Sequence, residues 1–207
     1  TVTAAFTVTV SPDAPFGEVI PTTVRLEGDN NYFFEGYFEP FIDICNVSIS
    51  AYPHIEGFED VELPNCWTQE VVEGDGVWTT KKGGYEYHPY NAHTGEFNAF
   101  IHGEETTVKL ISPTLNLEGA TEAVLSFWHA QSVAMGDQDY LRVYYRNATD
   151  GEWQLLAHYQ YSLANWKHRE IQLPDVTSNY YIAFEAECNG GYGVVVDDVV
   201  ITANVGY

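Results

Sequence analysis

The chain has 207 residues, of which 45% are hydrophobic and 15% aromatic, enough for one large core or for one large and one small core. Its 30 acidic residues outnumber its 8 lysines and arginines, and the formal net charge is −22 at pH 7. This charge repels nucleic-acid phosphates and anionic membrane surfaces, so the composition argues against nucleic-acid binding.

Targeting and cysteine signals are sparse. No apolar run is long enough to span a bilayer, and the first segment, TVTAAFTVTV, lacks the basic start and apolar core of a signal peptide. We therefore expect no membrane insertion, and we expect the chain to be the mature piece of a larger polypeptide. The odd number of cysteines, Cys45, Cys66 and Cys188, predicts at least one free thiol, while their pairing does not follow from sequence.

Residues 1–53 carry three strand signals. TVTAAFTVTV alternates threonine with apolar residues, EVIPTTVRLEG adds a proline typical of an edge or a strand start, and NYFFEGYFEPFIDI alternates aromatic residues. Three such strands make one sheet but not a closed sandwich, so they either pack against the rest of the chain or have partner strands upstream. We predict a small, incomplete immunoglobulin-like β-module over 1–53.

From residue 54 onward, strand patterns alternate with turn-rich connections such as NATDG and ECNGGYG. This spacing predicts an all-β antiparallel sandwich or jelly roll over 54–207. Almost nothing predicts a helix, and LLAHYQYSLANW is interpreted as strand plus loop. The predicted strands are TTVKLISP, EAVLSFWHAQ, DYLRVYYRN, WQLLAHYQ, KHREIQLP, NYYIAFEAE and GVVVDDVVIT.

The order of several short motifs is more specific than any one of them. IEGFEDVELPNCWT is followed by DGVWTT, HTGEFNAFIHG, VKLISPTLNL, VLSFWHA and GVVVDDVVIT. Over about residues 54–203 this order resembles the cleaved adhesin domains of gingipain-type bacterial cysteine proteases and the wider MAM-like, choice-of-anchor jelly rolls. The resemblance implies a two-sheet jelly roll, an extracellular or cell-surface location on a bacterium, and non-catalytic adhesion to a glycan or a host protein.

Two acids interrupt the valine run of GVVVDDVVIT, where an unpaired buried carboxylate would be costly. The resemblance implies structural calcium held by Glu59 and Asp60 near the first strand and by Asp197 and Asp198 in the last. Hard carboxylates without a basic neighbour in either segment suit calcium, with carbonyls and water completing its shell. The alternative is that the aspartates accept hydrogen bonds from backbone amides of a neighbouring loop.

The glycine- and tyrosine-rich segment KKGGYEYHPYNAHTGEF, residues 81–97, is the candidate ligand-binding loop. Tyr85, Tyr87 and Tyr90 offer flat apolar faces with a hydroxyl at the tip, which suit stacking on sugars or docking a protein. The alternative is a loop that folds back and covers the end of the sandwich.

Catalytic and zinc signatures are missing from the sequence. No G-x-S-x-G motif or signature cysteine occurs, and His88 and His93 lack the spacing of a zinc site. His129 lies on a predicted core strand and is expected in the interior. We predict no catalytic residues, because the strands carry mainly apolar residues and tyrosines; a carbohydrate-active enzyme and a structural spacer stay as alternatives.

Overall fold

The computed structural model describes residues 22–27, 33–38, 45 and 48–205, and the chain divides into two units, residues 1–46 and 47–207. In the first unit, β1 (Thr22–Glu27) and β2 (Phe33–Phe38) form an antiparallel pair, and both coincide with predicted strand segments. The strand predicted over 1–10 lies outside the described residues, so the immunoglobulin-like character of this region stays a prediction.

The segment just before residue 54 belongs to the second unit. Ile49 donates a backbone hydrogen bond to Thr114 (2.8 Å) and accepts one from Asn116 (2.8 Å). Residues 47–53, which the prediction placed in the first module, thus lie in the second unit.

The second unit consists of eleven strands, and no described residue is α-helical. In the described part of the chain, no helix could therefore cross a membrane. All seven strands predicted between residues 106 and 202 are present, and four short strands precede them. The strands are β3 (His54–Glu56), β4 (Thr68–Glu73), β5 (Thr79–Lys81), β6 (Asn98–Ile101), β7 (Thr106–Ile111), β8 (Ala120–Gln131), β9 (Tyr140–Arg146), β10 (Gln154–Tyr159), β11 (Leu163–Gln172), β12 (Tyr181–Cys188) and β13 (Val194–Val205).

These strands form two antiparallel sheets. One has the order β10-β9-β12-β7-β4, and the other has the order β11-β8-β13-β6-β5, with β3 also pairing with β13. Glu56 of β3 lies opposite Val199 of β13, so the first and last strands of the sandwich are neighbours. The fold is an all-β jelly-roll sandwich.

The core fills the space between the two sheets. Period-two alternation turns Val108 and Leu110 of β7 towards Leu125 and Phe127 of β8, and all four are fully buried. Trp78, which is also buried, donates its indole N–H to the carbonyl of Val108 (3.0 Å), so its one polar atom is satisfied.

A β-bulge interrupts β13 at its two acids. The pairing with β8 shifts between Asp197 and Val200, and Asp198 has a φ of 46°. On a regular strand, side chains three positions apart point to opposite faces. The extra residue of the bulge brings Val196 and Val199 to the same face, so both lie in the core. Asp197 is fully buried.

The cysteines fall into two classes. Cys45 and Cys66 are each disulfide-bonded, whereas Cys188 is a free thiol in the core. Burial raises the pKa of Cys188 well above its usual range. The prediction of at least one free thiol is confirmed.

Candidate binding site

The two acids of β13 bind a single loop. Asp197 accepts backbone hydrogen bonds from His93 (2.8 Å) and Thr94 (3.3 Å). Asp198 contacts the side chains of the same two residues, at 2.5 Å from His93 Nδ1 and 2.6 Å from Thr94 Oγ1. Burial raises the pKa of Asp197 to about 7 despite these backbone donors. This arrangement matches the backbone-amide alternative to a metal.

Glu59 holds the other end of that loop. It accepts backbone hydrogen bonds from Glu96 (2.7 Å) and Phe97 (3.3 Å). A Cβ atom added at Gly95 would lie 1.8 Å from Glu59 Oε1, so glycine lets the carboxylate approach the backbone. Asp60 is exposed and accepts no hydrogen bond from any described residue. Three of the four predicted calcium ligands thus meet the loop 93–97, and Asp60 does not.

The side chains that meet the loop 93–97 supply only part of a calcium coordination shell. Among the described residues, no three His, Cys, Asp or Glu side chains form a group that could hold a metal ion. Glu59 Oε1, however, accepts no hydrogen bond in the described part of the chain. Calcium also takes backbone carbonyls and water as ligands. The hard-oxygen donors fit calcium if such ligands complete the shell.

The turn that carries the tyrosines is closed at its base. Buried Asn98 accepts a hydrogen bond from the N–H of Gly83 (2.9 Å) and donates one to its carbonyl (3.2 Å). Gly84 donates to the carbonyl of Pro89 (2.8 Å). A Cβ atom at Gly84 would lie 1.9 Å from the carbonyl oxygen of His88, so the closed turn requires glycine there.

The structure separates the three predicted tyrosines. Tyr85 stacks on His102, with ring centroids 3.9 Å apart and an interplanar angle of 12°. Tyr87 and Tyr90 stack on each other at 5.3 Å and are 72% and 70% exposed. Tyr85 lines a pocket to which the other two tyrosines do not contribute.

This pocket, the Tyr85 pocket, has a volume of about 300 Å³ and lies among the loops that follow β5, β6, β8 and β12. A second stacked pair, His88 on Tyr192, has a centroid distance of 3.9 Å and an interplanar angle of 14°. The first pair lines the pocket with both rings and the second with Tyr192, together with one fully exposed methionine. Its lining includes Tyr85, His102, Tyr192, Met135, Glu104 and Asp137.

Asp139 fixes the glycine-rich wall of the Tyr85 pocket. This fully buried carboxylate accepts backbone hydrogen bonds from Asn189 (2.7 Å), Gly191 (3.0 Å) and Gly193 (2.7 Å). Three amide donors compensate a buried charge that has no cationic partner among the described residues. We did not predict this residue; the signal in the sequence is the run NGGYG, which needs an acceptor for its closely spaced amides.

The loop 81–97 also covers part of the six-stranded sheet. The His93 ring stacks on Trp128 at 3.8 Å, and Trp166 approaches it edge-on at 5.9 Å. Trp166 also donates its indole N–H to the carbonyl of Asn91 (3.0 Å). The fold-back alternative therefore describes residues 91–93, while the part that carries the tyrosines stays exposed.

His129 lies in the interior, as predicted, with no exposed surface. Its Nε2 accepts a hydrogen bond from Arg169 (3.0 Å), and its Nδ1 has no partner among the described residues. Burial, reinforced by the nearby arginine charge, lowers the pKa of His129 to about 3. The imidazole is therefore neutral at physiological pH.

The outer face of the five-stranded sheet carries a charged network that we did not predict. Lys109 contacts Glu70 (2.8 Å) and Glu185 (3.2 Å), and Arg142 contacts Glu185 (3.0 Å) and Glu187. We expected these strands to be mainly apolar and tyrosine-bearing. The overlooked signal is the alternation in DYLRVYYR and FEAE, which places every second residue on the outer face.

Two packed antiparallel sheets with an aromatic pocket among the loops define a jelly-roll module of the β-sandwich class. Residues 57–205 match the model of the MAM domain, meprin/A5/mu, and the chain belongs to this family. No curated protein matches the chain.

Solved structures share the fold. The K1 cleaved adhesin domain of Lys-gingipain from Porphyromonas gingivalis W83 is 19% identical, with a TM-score of 0.59, over 74% of this chain and 99% of that domain. The module TmCBM61, in complex with beta-1,4-galactotriose, is 18% identical, with a TM-score of 0.53, over 72% and 94%. The CBM22-1 xylan-binding domain of a Paenibacillus barcinonensis protein is 14% identical, with a TM-score of 0.50, over 74% and 95%. The expected resemblance to cleaved adhesin and MAM-like jelly rolls is confirmed.

Proposed function

We propose that this chain is a non-catalytic binding module that holds a carbohydrate in the Tyr85 pocket. The observation that carries the proposal is the pair of aromatic stacks, Tyr85 on His102 and His88 on Tyr192, at a pocket of about 300 Å³. Stacked rings are fixed before the ligand arrives, so binding costs little side-chain entropy. Their flat faces suit the apolar face of a sugar ring.

The rim of the pocket supplies the polar half of sugar recognition. Glu104 and Asp137 line it, and ionised carboxylates accept hydrogen bonds from hydroxyl groups. The volume is at the lower end for small-molecule sites, which favours a short saccharide or a chain end. The galactotriose bound by one fold relative and the xylan-binding role of another support this class of ligand.

The wider setting belongs to the same proposal. The module acts outside a bacterial cell, as one part of a larger secreted or surface protein of the gingipain kind. Tyr87 and Tyr90, exposed as a stacked pair beside the pocket loop, extend the contact to a longer glycan or to a host protein that carries it.

We further propose that calcium stabilises the contact between the loop 93–97 and the acids Glu59, Asp197 and Asp198. Glu59 and Asp197 would bind it, with Asp198 beside them, and backbone carbonyls and water would complete the shell. Among the described residues, the His93 imidazole is the only potentially basic group that bonds to these acids. When bound, calcium would neutralise their negative charge. The loop also carries the Tyr85 turn, so the ion supports the pocket indirectly.

Isothermal titration calorimetry with short galacto- and xylo-oligosaccharides, selected on a glycan array, tests the carbohydrate site. Tyr85→Ala should weaken binding about tenfold, equivalent to about 1.4 kcal/mol. Tyr161→Ala removes an exposed tyrosine elsewhere and should leave the affinity unchanged. No binding on the array, or equal losses in the two variants, would contradict the proposed site.

Thermal unfolding with added calcium or with a chelator tests the metal. Calcium should raise the Tm of the wild-type chain and of Glu62→Gln, an exposed control, but should raise that of Glu59→Gln much less. A Tm that responds to neither calcium nor chelator would remove the metal from the proposal, and the carbohydrate site would stand separately.

A further inference from the structure

Arg146 occupies an aromatic cleft on the outer face of the five-stranded sheet, away from the Tyr85 pocket. Its Cζ lies 4.6 Å from the ring centroid of Trp153 and 4.5 Å from that of Tyr181. Tyr181 is the partner of Arg146 on β12, while Trp153 precedes β10 on the other side of β9. The guanidinium is therefore flanked by rings. Thr114 donates a hydrogen bond to the Tyr181 hydroxyl (2.8 Å), which fixes that ring.

Arg146 has no carboxylate in direct contact, although its charge lies near enough to Glu70 to favour the ionised form of that acid. Among the described residues it forms no hydrogen bond and no ion pair, and its Nε is buried without an acceptor. On the same face, Arg142 and Lys109 each contact two glutamates. Arg169, which also has no carboxylate contact, donates to His129 instead (3.0 Å), whereas Arg146 has no acceptor among the described residues. The two terminal amino groups of Arg146 are not buried and have no acceptor among the described residues, so an external carboxylate can bond to them.

The geometry points to a carboxylate-binding site at Arg146, and we propose that its ligand is a saccharide bearing one uronic acid. A guanidinium offers two parallel N–H groups that match the two oxygens of a carboxylate. Here the rings of Trp153 and Tyr181 restrict its orientation, so little freedom remains to be lost on binding.

The surroundings of Arg146 favour a largely neutral saccharide over an acidic protein. Tyr140 and Tyr144 lie on the same face of β9, at two-residue spacing, and offer further aromatic surface to neighbouring sugar rings. The intervening Arg142 is already neutralised by Glu185 and Glu187. The net charge of −22 opposes a polyanion, so a single carboxylate on a neutral chain fits best.

Calorimetry with two matched saccharides tests the site directly. The probes are xylotetraose bearing one glucuronic acid and the same compound with its carboxyl group reduced. The wild-type chain should bind the acid at least about tenfold more tightly, as expected for a charge-assisted hydrogen-bonded pair. Arg146→Gln should abolish this preference, and Lys167→Gln, which removes an equal charge elsewhere, should preserve it.

A further variant and a further ligand separate a binding role of Arg146 from a structural one. Arg146→Lys keeps the charge but loses the planar fork, so the preference should fall while the circular dichroism spectrum and Tm stay close to wild type. Equal affinity of the wild-type chain for the two saccharides would overturn the inference. So would an unchanged preference in Arg146→Gln, or equally tight binding of a tetraglutamate peptide. The Tyr85→Ala variant should retain the preference, so failure here is distinguishable from failure of the Tyr85 pocket.

Discussion

Replacing Asp139 by asparagine removes one acceptor from the buried carboxylate that holds the β12–β13 turn. The side chain keeps its size, but one of its two oxygens becomes an amide nitrogen that donates. Oδ1 accepts from Asn189 and Gly191, and Oδ2 accepts from Gly193. Whichever way the new amide is oriented, at least one backbone N–H loses its acceptor and faces another donor.

The expected loss is the sum of two effects. One buried N–H left without an acceptor costs about 1–3 kcal/mol. The retained hydrogen bonds to Asp139 also lose their ionic character, which costs about 1 kcal/mol each. With two bonds retained, the free energy of unfolding should fall by about 3–5 kcal/mol, a large share of the stability of a typical domain.

Urea unfolding followed by tryptophan fluorescence measures this loss through the transition midpoint. Asp137→Asn is the matched control, because its carboxylate lies two residues away, is exposed and accepts no hydrogen bond from a described residue. The control should change the free energy of unfolding by less than about 0.5 kcal/mol. Equal, small effects in the two variants would refute the view that Asp139 organises the turn.

Three further predictions concern buried groups. The pKa of His129 is lowered to about 3 in the folded chain, so below about pH 6.5 the unfolded chain binds a proton that the folded chain does not, and the free energy of unfolding falls. His129→Gln should reduce this loss by about 2 kcal/mol between pH 6 and 4.5, measured by urea unfolding. Gly84→Ala drives a Cβ atom into the carbonyl of His88 and should lower Tm by several degrees, whereas Gly57→Ala, with ordinary contacts at 3.6 Å, should not. The buried Cys188 thiol, with its raised pKa, should resist Ellman's reagent until the chain is denatured; rapid reaction of the native protein would contradict this.

Long strands were predictable from sequence. β8, β9, β12 and β13 are long segments rich in apolar and aromatic residues between turn-forming residues, and each was found where that pattern placed it. The short strands β3–β6 were not predicted, because three to six residues give too little periodicity and their pairing depends on partners far along the chain.

The site was predictable only in part, because residue type does not give distance. Glu59, Asp197 and Asp198 meet one loop, but the bulge that turns both aspartates to it depends on the local backbone. Tyr85 reaches a pocket whose other walls come from three further loops. Arg146 gave no signal, because its lack of a direct carboxylate contact emerges only once the strands are paired.

The position of β13 has a consequence for how the protein folds. It is the last strand of the sandwich in chain order, yet it lies in the middle of the six-stranded sheet, between β8 and β6, and also pairs with β3. The segments before it therefore have no means of completing that sheet during synthesis. We expect a slow, late folding step governed by contacts distant in sequence, and exposed strand edges on β8 and β6 until it occurs.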